Sequence, residues 1–143
     1  MANTGIVWGS WAAVQKSGTG DWTALDVADN GNAGSAEIAF GTKAAIKIGY
    51  SLVEDNTGAI DGDVTIWILN ETANGDWQLY DVTVLAPYRF RVRPVQNKTY
   101  RDWITLYAGS WGDSIKLWIL NESGQILTTT FAFQTGDVPV ASA

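Results

Sequence analysis

Val64-Thr65-Ile66-Trp67-Ile68-Leu69-Asn70-Glu71-Thr72 and Ile115-Lys116-Leu117-Trp118-Ile119-Leu120-Asn121-Glu122-Ser123 are two copies of one pattern, sharing the run Trp-Ile-Leu-Asn-Glu. Side chains alternate across a strand. Val64, Ile66 and Ile68 therefore share one face, and Ile115, Leu117 and Ile119 share the matching face of the second copy. These faces are wholly apolar and belong to a core. The opposite faces carry Thr65, Trp67 and Leu69, and Lys116, Trp118 and Leu120. They are apolar enough to need cover, from the N-terminal part of the chain or from another subunit.

The flanks extend the duplication. Ala45 to Tyr50 alternates apolar with polar or small residues, and a loop from Glu54 to Asp63 leads into the first copy. Asn74-Gly75, a strong hairpin signal, separates that copy from an apolar run, Trp77 to Leu85. Tyr88 to Val92 is the next strand, bounded by Pro87 and Pro94. The second unit is shorter. Trp103 to Tyr107 is a strand, Ala108 to Asp113 a turn, Ile115 to Leu120 the repeat strand, Ser123-Gly124 a turn and Ile126 to Phe133 the return. The spacing gives repeat units of about 44–93 and 102–134 within a β-rich body, 40–143. No segment has the capped 3.6-residue periodicity of a helix. Residues 1–39 read as an irregular arm with one or two short strands, broken by Gly- and Ser-rich links. The fold class is all-β: an antiparallel sandwich of jelly-roll or immunoglobulin-like type.

Composition narrows the function. The 143 residues suffice for one domain with a real core. Lys+Arg 9 against Asp+Glu 15 gives a net charge of -6, which disfavours nucleic acid and anionic membranes. With no Cys there is no disulfide and no thiolate ligand; with no His the commonest base and metal ligand are missing. No signal peptide or membrane-length apolar run is visible, so a soluble protein made in a cytosol is expected. On that reading the sequons at Asn70, Asn97 and Asn121 are turn residues. Asp55-Asn56 and Asp61-Gly62-Asp63 are rich in oxygen ligands but match no EF-hand spacing, and no metal or cofactor is expected. No nucleophile, phosphate-loop or zinc motif is present. Glu71 and Glu122 are matched across the repeat, as turn residues would be. The expectation is a protein that is not an enzyme.

Two features suggest binding. Arg89, Arg91 and Arg93 alternate with Phe90 and Val92 and so share a face, and Lys98 and Arg101 follow. Five of the nine basic residues fall in this stretch with no acid among them, leaving 4 basic and 15 acidic residues elsewhere. Such a face is either solvated and paired with acids of a neighbouring strand, or docks on an acidic protein surface. The second feature is eight Trp. Trp67 and Trp118 read as core or subunit interface, and Trp8 and Trp11 as contacts made by the arm. Trp111, in the turn Gly109 to Asp113, is the best candidate for an exposed ring, equally suited to an interface or to stacking on a sugar.

The turn-rich segment Gly18 to Ser35, the Trp-rich duplicated body and the extended tail Thr135 to Ala143 together resemble the small β-sandwich decoration, or cement, proteins of tailed-bacteriophage capsids. The resemblance implies a structural virion protein on the outer capsid surface. It would bind the major capsid protein or neighbouring virion subunits, often as a homotrimer. A carbohydrate-binding sandwich and a tail or fibre component are the alternatives.

Overall fold

The structure, a computed structural model, describes residues 5–18, 20–54, 58–70 and 88–138. Apart from one four-residue helix, the regular structure is β, arranged as two antiparallel sheets. The long strands are β6 (Ala45–Val53), β7 (Val64–Asn70), β9 (Thr99–Tyr107), β10 (Ser114–Asn121) and β11 (Leu127–Asp137). A shorter strand, β8 (Arg89–Val92), precedes β9, and the helix α1 (Ala108–Trp111) sits between β9 and β10. The first sheet has β11, β6 and β9 in that order; the second has β10, β7 and β8. The chain crosses between sheets at β6–β7 and at every connection from β8 onward. The expected Asn74-Gly75 hairpin, the Trp77 to Leu85 strand and Asp55-Asn56 lie outside the described residues.

The duplication has a geometric form. β7 and β10 pair antiparallel with Trp67 opposite Trp118. In the other sheet, nine-residue β6 pairs end to end with nine-residue β9, with Gly49 opposite Trp103 at the midpoint. The two strand pairs therefore relate to each other as a local two-fold axis would relate them. The third strands break the relation. β11 pairs with β6 of the other unit, whereas β8 pairs with β7 of its own.

Between the sheets lie Ile46, Ile48, Tyr50, Leu52, Leu127 and Phe131 from one side. Val64, Ile66, Ile68, Ile115, Leu117 and Ile119 meet them from the other, as their alternation requires. The second face of β7 is also buried within the single chain: Trp67 is 0% exposed, and Thr65 and Leu69 are buried with it. Part of the cover over β10 comes from the N-terminal third. Gly34 stands opposite Trp118, and a Cβ there would overlap the indole, so the ring lies across the strand only because residue 34 is Gly.

The sequence reads residues 1–39 as an arm; the structure folds them back as the edge of both sheets. β1 (Val7–Trp8), β2 (Ala12–Ala13) and β3 (Leu25–Val27) run antiparallel down β11. β4 (Asn32–Gly34) and β5 (Ile38–Ala39) then run down β10. Five strands thus replace the expected one or two. Each is two or three residues long, because Gly18, Gly20, Ala24 and Asn30 turn the backbone at positive φ between them. Trp22 anchors the segment. Its ring is fully buried, meets Phe131 edge-on at 4.6 Å, and donates from Nε1 to Thr129 Oγ1 at 2.8 Å. At the other end, β11 continues through Thr135 to Asp137, so the expected tail begins as strand.

The repeated Asn residues are structural. Asn121 is fully buried. Its amide donates to Val27 O at 2.9 Å and Gln125 O at 2.7 Å, while its Oδ1 accepts from the Ser123 N–H at 3.0 Å and the Ser123 hydroxyl at 2.6 Å. Asn70 in the first copy donates to Trp111 O at 2.6 Å.

Two substitutions test this account by thermal and urea unfolding. Trp22→Ala removes the anchor and should cost about 3–5 kcal/mol, the range for deleting a buried aromatic. Proteolysis should then open first within residues 5–39. Asn121→Ala strands buried donors and acceptors and should cost about 1–3 kcal/mol.

Candidate functional site: a basic flank and a tryptophan-walled groove

β8 and β9 are the outer strands of their sheets among the described residues, and both lie on one flank. A short connection joins them, and Tyr50 touches both, with Phe90 at 5.8 Å and Tyr100 at 6.2 Å between ring centres. The Arg alternation works as the sequence implies: Val92 is buried, Phe90 is half-buried against the core, and Arg91 and Arg93 are exposed. Arg89 stands opposite Trp67 and Arg91 opposite Thr65. Lys98 and Arg101 are exposed farther along the same flank.

Both readings of this basic stretch find a residue. Arg93 is paired at home, its Nε 2.9 Å from Asp63 Oδ1, in an open setting where such a pair contributes little. Arg91, Lys98 and Arg101 form no ion pair among the described residues. Arg91 borders a cleft of about 360 Å³ with Gly62, Asp63, Thr65 and Glu122. The turn that carries Lys98 is pinned from inside. Glu54 is buried, its carboxylate accepts the Asn97 N–H at 3.0 Å, and its own N–H donates to Lys98 O at 3.3 Å. Asn97 holds φ at 54°, which an Asn tolerates better than most residues.

The tryptophans sort differently from the sequence reading. Trp22 and Trp67 are buried and Trp118 is half-buried. Trp111 is not the exposed ring: it is half-buried, packs on the core and meets Tyr88 edge-on at 5.5 Å. Trp8 and Trp11 lie on the chain's own first sheet instead of on a free arm. Trp8 stacks under Lys47 Nζ at 4.5 Å. The exposed rings are Trp103, at 62%, and Trp11, at 51%. Trp103 was legible in principle. Thr99, Arg101, Trp103, Thr105 and Tyr107 form an outward row once β9 is begun at Thr99, and starting the strand at Trp103 hides that row.

Trp11 and Trp103 wall a groove of about 360 Å³ on the outer face of the first sheet. Its floor is the row Ala132–Gly49–Trp103, paired across three strands, with Thr130, Ser51 and Arg101 in the next row. Gly49 lets the Trp11 ring lie close over the strand. A Cβ on Gly49 would stand 2.9 Å from the edge of Trp11. Among the described residues neither indole stacks on another ring. Asp102 accepts the Trp103 N–H at 2.8 Å and the Tyr100 hydroxyl at 3.4 Å. Burial above all, then the charge of Tyr100 and Asp102, pushes the Tyr50 pKa well above its ordinary value, so this hydroxyl stays neutral.

The arrangement offers flat apolar surface, hydroxyls and guanidinium groups, which are means of binding. Glu122 is exposed, and Glu71 lies outside the described residues. No group of three potential metal ligands occurs among the described residues.

Glu54→Ala should free the basic turn at a cost of about 1–3 kcal/mol, since it removes the acceptor of the Asn97 N–H. Amide exchange at Asn97 should quicken more than exchange in β10. No protein-family model and no curated protein matches this chain.

Proposed function

We propose that the chain is a structural virion protein of the decoration class, which attaches to the outer surface of a multi-subunit shell and performs no chemistry. The reading rests on the basic flank: Arg91, Lys98 and Arg101 stand exposed, without ion pairs among the described residues, on a protein of net charge -6. That distribution suits an acidic protein surface, because guanidinium groups grip carboxylates through two parallel hydrogen bonds. It does not suit nucleic acid, which the acidic remainder repels. The resemblance noted in the sequence agrees with this reading.

The structure changes the kind of contact proposed. Thr65, Trp67 and Leu69 are covered within one chain, so this face of β7 offers no apolar contact to another subunit. The proposed contact is polar, led by charge, and weakened by salt.

Density-banded particles from the source of this sequence provide the test. The chain should be found on them by mass spectrometry and should leave in about 1 M salt, where screening extends to about 3 Å. Stripped particles should rebind the unaltered chain, and bind the Arg91→Glu/Lys98→Glu chain at least about tenfold more weakly. Absence from the particles, or equal rebinding of the variant, would overturn the proposal.

A further inference from the structure

We propose that the groove between Trp11 and Trp103 binds an acidic saccharide, a chain of pyranose rings bearing carboxylates. This goes beyond the shell-docking reading and shares only Arg101 with it. A pyranose presents C–H groups on its ring faces and hydroxyls around its rim. The groove presents the complement: two exposed indoles, one of them Trp11 lying over Gly49, with the small Ala132 and the Ser51 and Thr130 hydroxyls beside them. Its volume of about 360 Å³ is at the small end for ligand sites, suited to one or two rings at a time.

Charge selects the class of sugar. The molecule carries -6 overall, yet a guanidinium lines this groove. Arg101 lines it, opposite Ser51, and forms no ion pair among the described residues. Lys47 lies two residues beyond Gly49 on the same face, steadied over Trp8 at 4.5 Å. Arg101 can therefore pair with a carboxylate of a saccharide that rests against the two indoles. Asp102 also lines the groove, where it accepts the Trp103 N–H and the Tyr100 hydroxyl, so Arg101 is the lining group that attracts a carboxylate.

The test is calorimetric titration of the intact chain with hexagalacturonate, hexamannuronate and, as the neutral control, cellohexaose. At least one uronate hexamer should bind, and more tightly than cellohexaose. Trp103→Ala and Trp11→Ala should each weaken it at least about tenfold, the scale of losing an aromatic anchor. Arg101→Gln should weaken the uronate by a similar factor while leaving cellohexaose unchanged, with an unaltered melting temperature excluding misfolding. The Arg91→Glu/Lys98→Glu chain should bind the hexamer normally, so failure of shell docking and failure of this site are separable. No binding to either uronate, binding indifferent to Trp103, or cellohexaose binding as tightly as the uronates would overturn the proposal.

Discussion

The in-register antiparallel pairing of β7 with β10 is the constraint on which the rest of the molecule depends. A slip of one residue would turn Val64, Ile66 and Ile68 away from the core and bring Thr65, Trp67 and Leu69 into it. The pairing that forms sets Ile66 opposite Ile119 and Ile68 opposite Leu117, so one continuous apolar surface faces the other sheet. Trp67 and Trp118 then meet on the opposite face, which must also be kept from water. That second demand explains why the chain devotes its first third to closing an edge, and why residue 34 is a Gly.

The duplication supplies the strand pairs β7–β10 and β6–β9 and leaves unlike borders. Along β10 and β11 the N-terminal third adds five short strands and the buried Trp22. Along the other flank, β8 and β9 carry charged side chains outward. Exposed edges invite unwanted pairing, and charged residues are a common defence. The same cations are the ones the docking proposal assigns to an acidic partner. The pairing of Arg93 with Asp63 shows that part of this charge is used at home, which leaves Arg91, Lys98 and Arg101 to carry the proposed docking.

Two kinds of surface follow from these borders. The flank is polar and carries exposed cations, the surface the docking proposal uses. The outer face of the first sheet is flat, with small residues at its centre and indoles above it. Gly49 opposite Trp103, at the midpoint of the β6–β9 pair, corresponds to Trp67 opposite Trp118 in the other sheet. One central pair carries two large side chains and is buried; the other carries one and is open. A sandwich held by its flank would keep that open face available to a second ligand.

Alternation and turn chemistry made the architecture legible from sequence. The repeat strands, their core faces, the Arg row and the absence of long helices all follow from local rules that act within a few residues. The structural use of Asn70 and Asn121 was legible only as repetition, since their partners Trp111, Val27 and Gln125 are set by folding. The exposure of Trp103 was legible only with the strand begun at Thr99, and the half-burial of Trp111 was not legible. An indole's exposure depends on what packs over it, and strands distant in sequence decide that. The same holds for the N-terminal third: isolated two-residue strands have too little pattern to announce themselves, and they exist because β10 and β11 offer an edge to pair with. The sequence by itself determined which residues alternate and where the charge lies; the tertiary structure decided which faces stay open, because burial is a property of the assembled sheets.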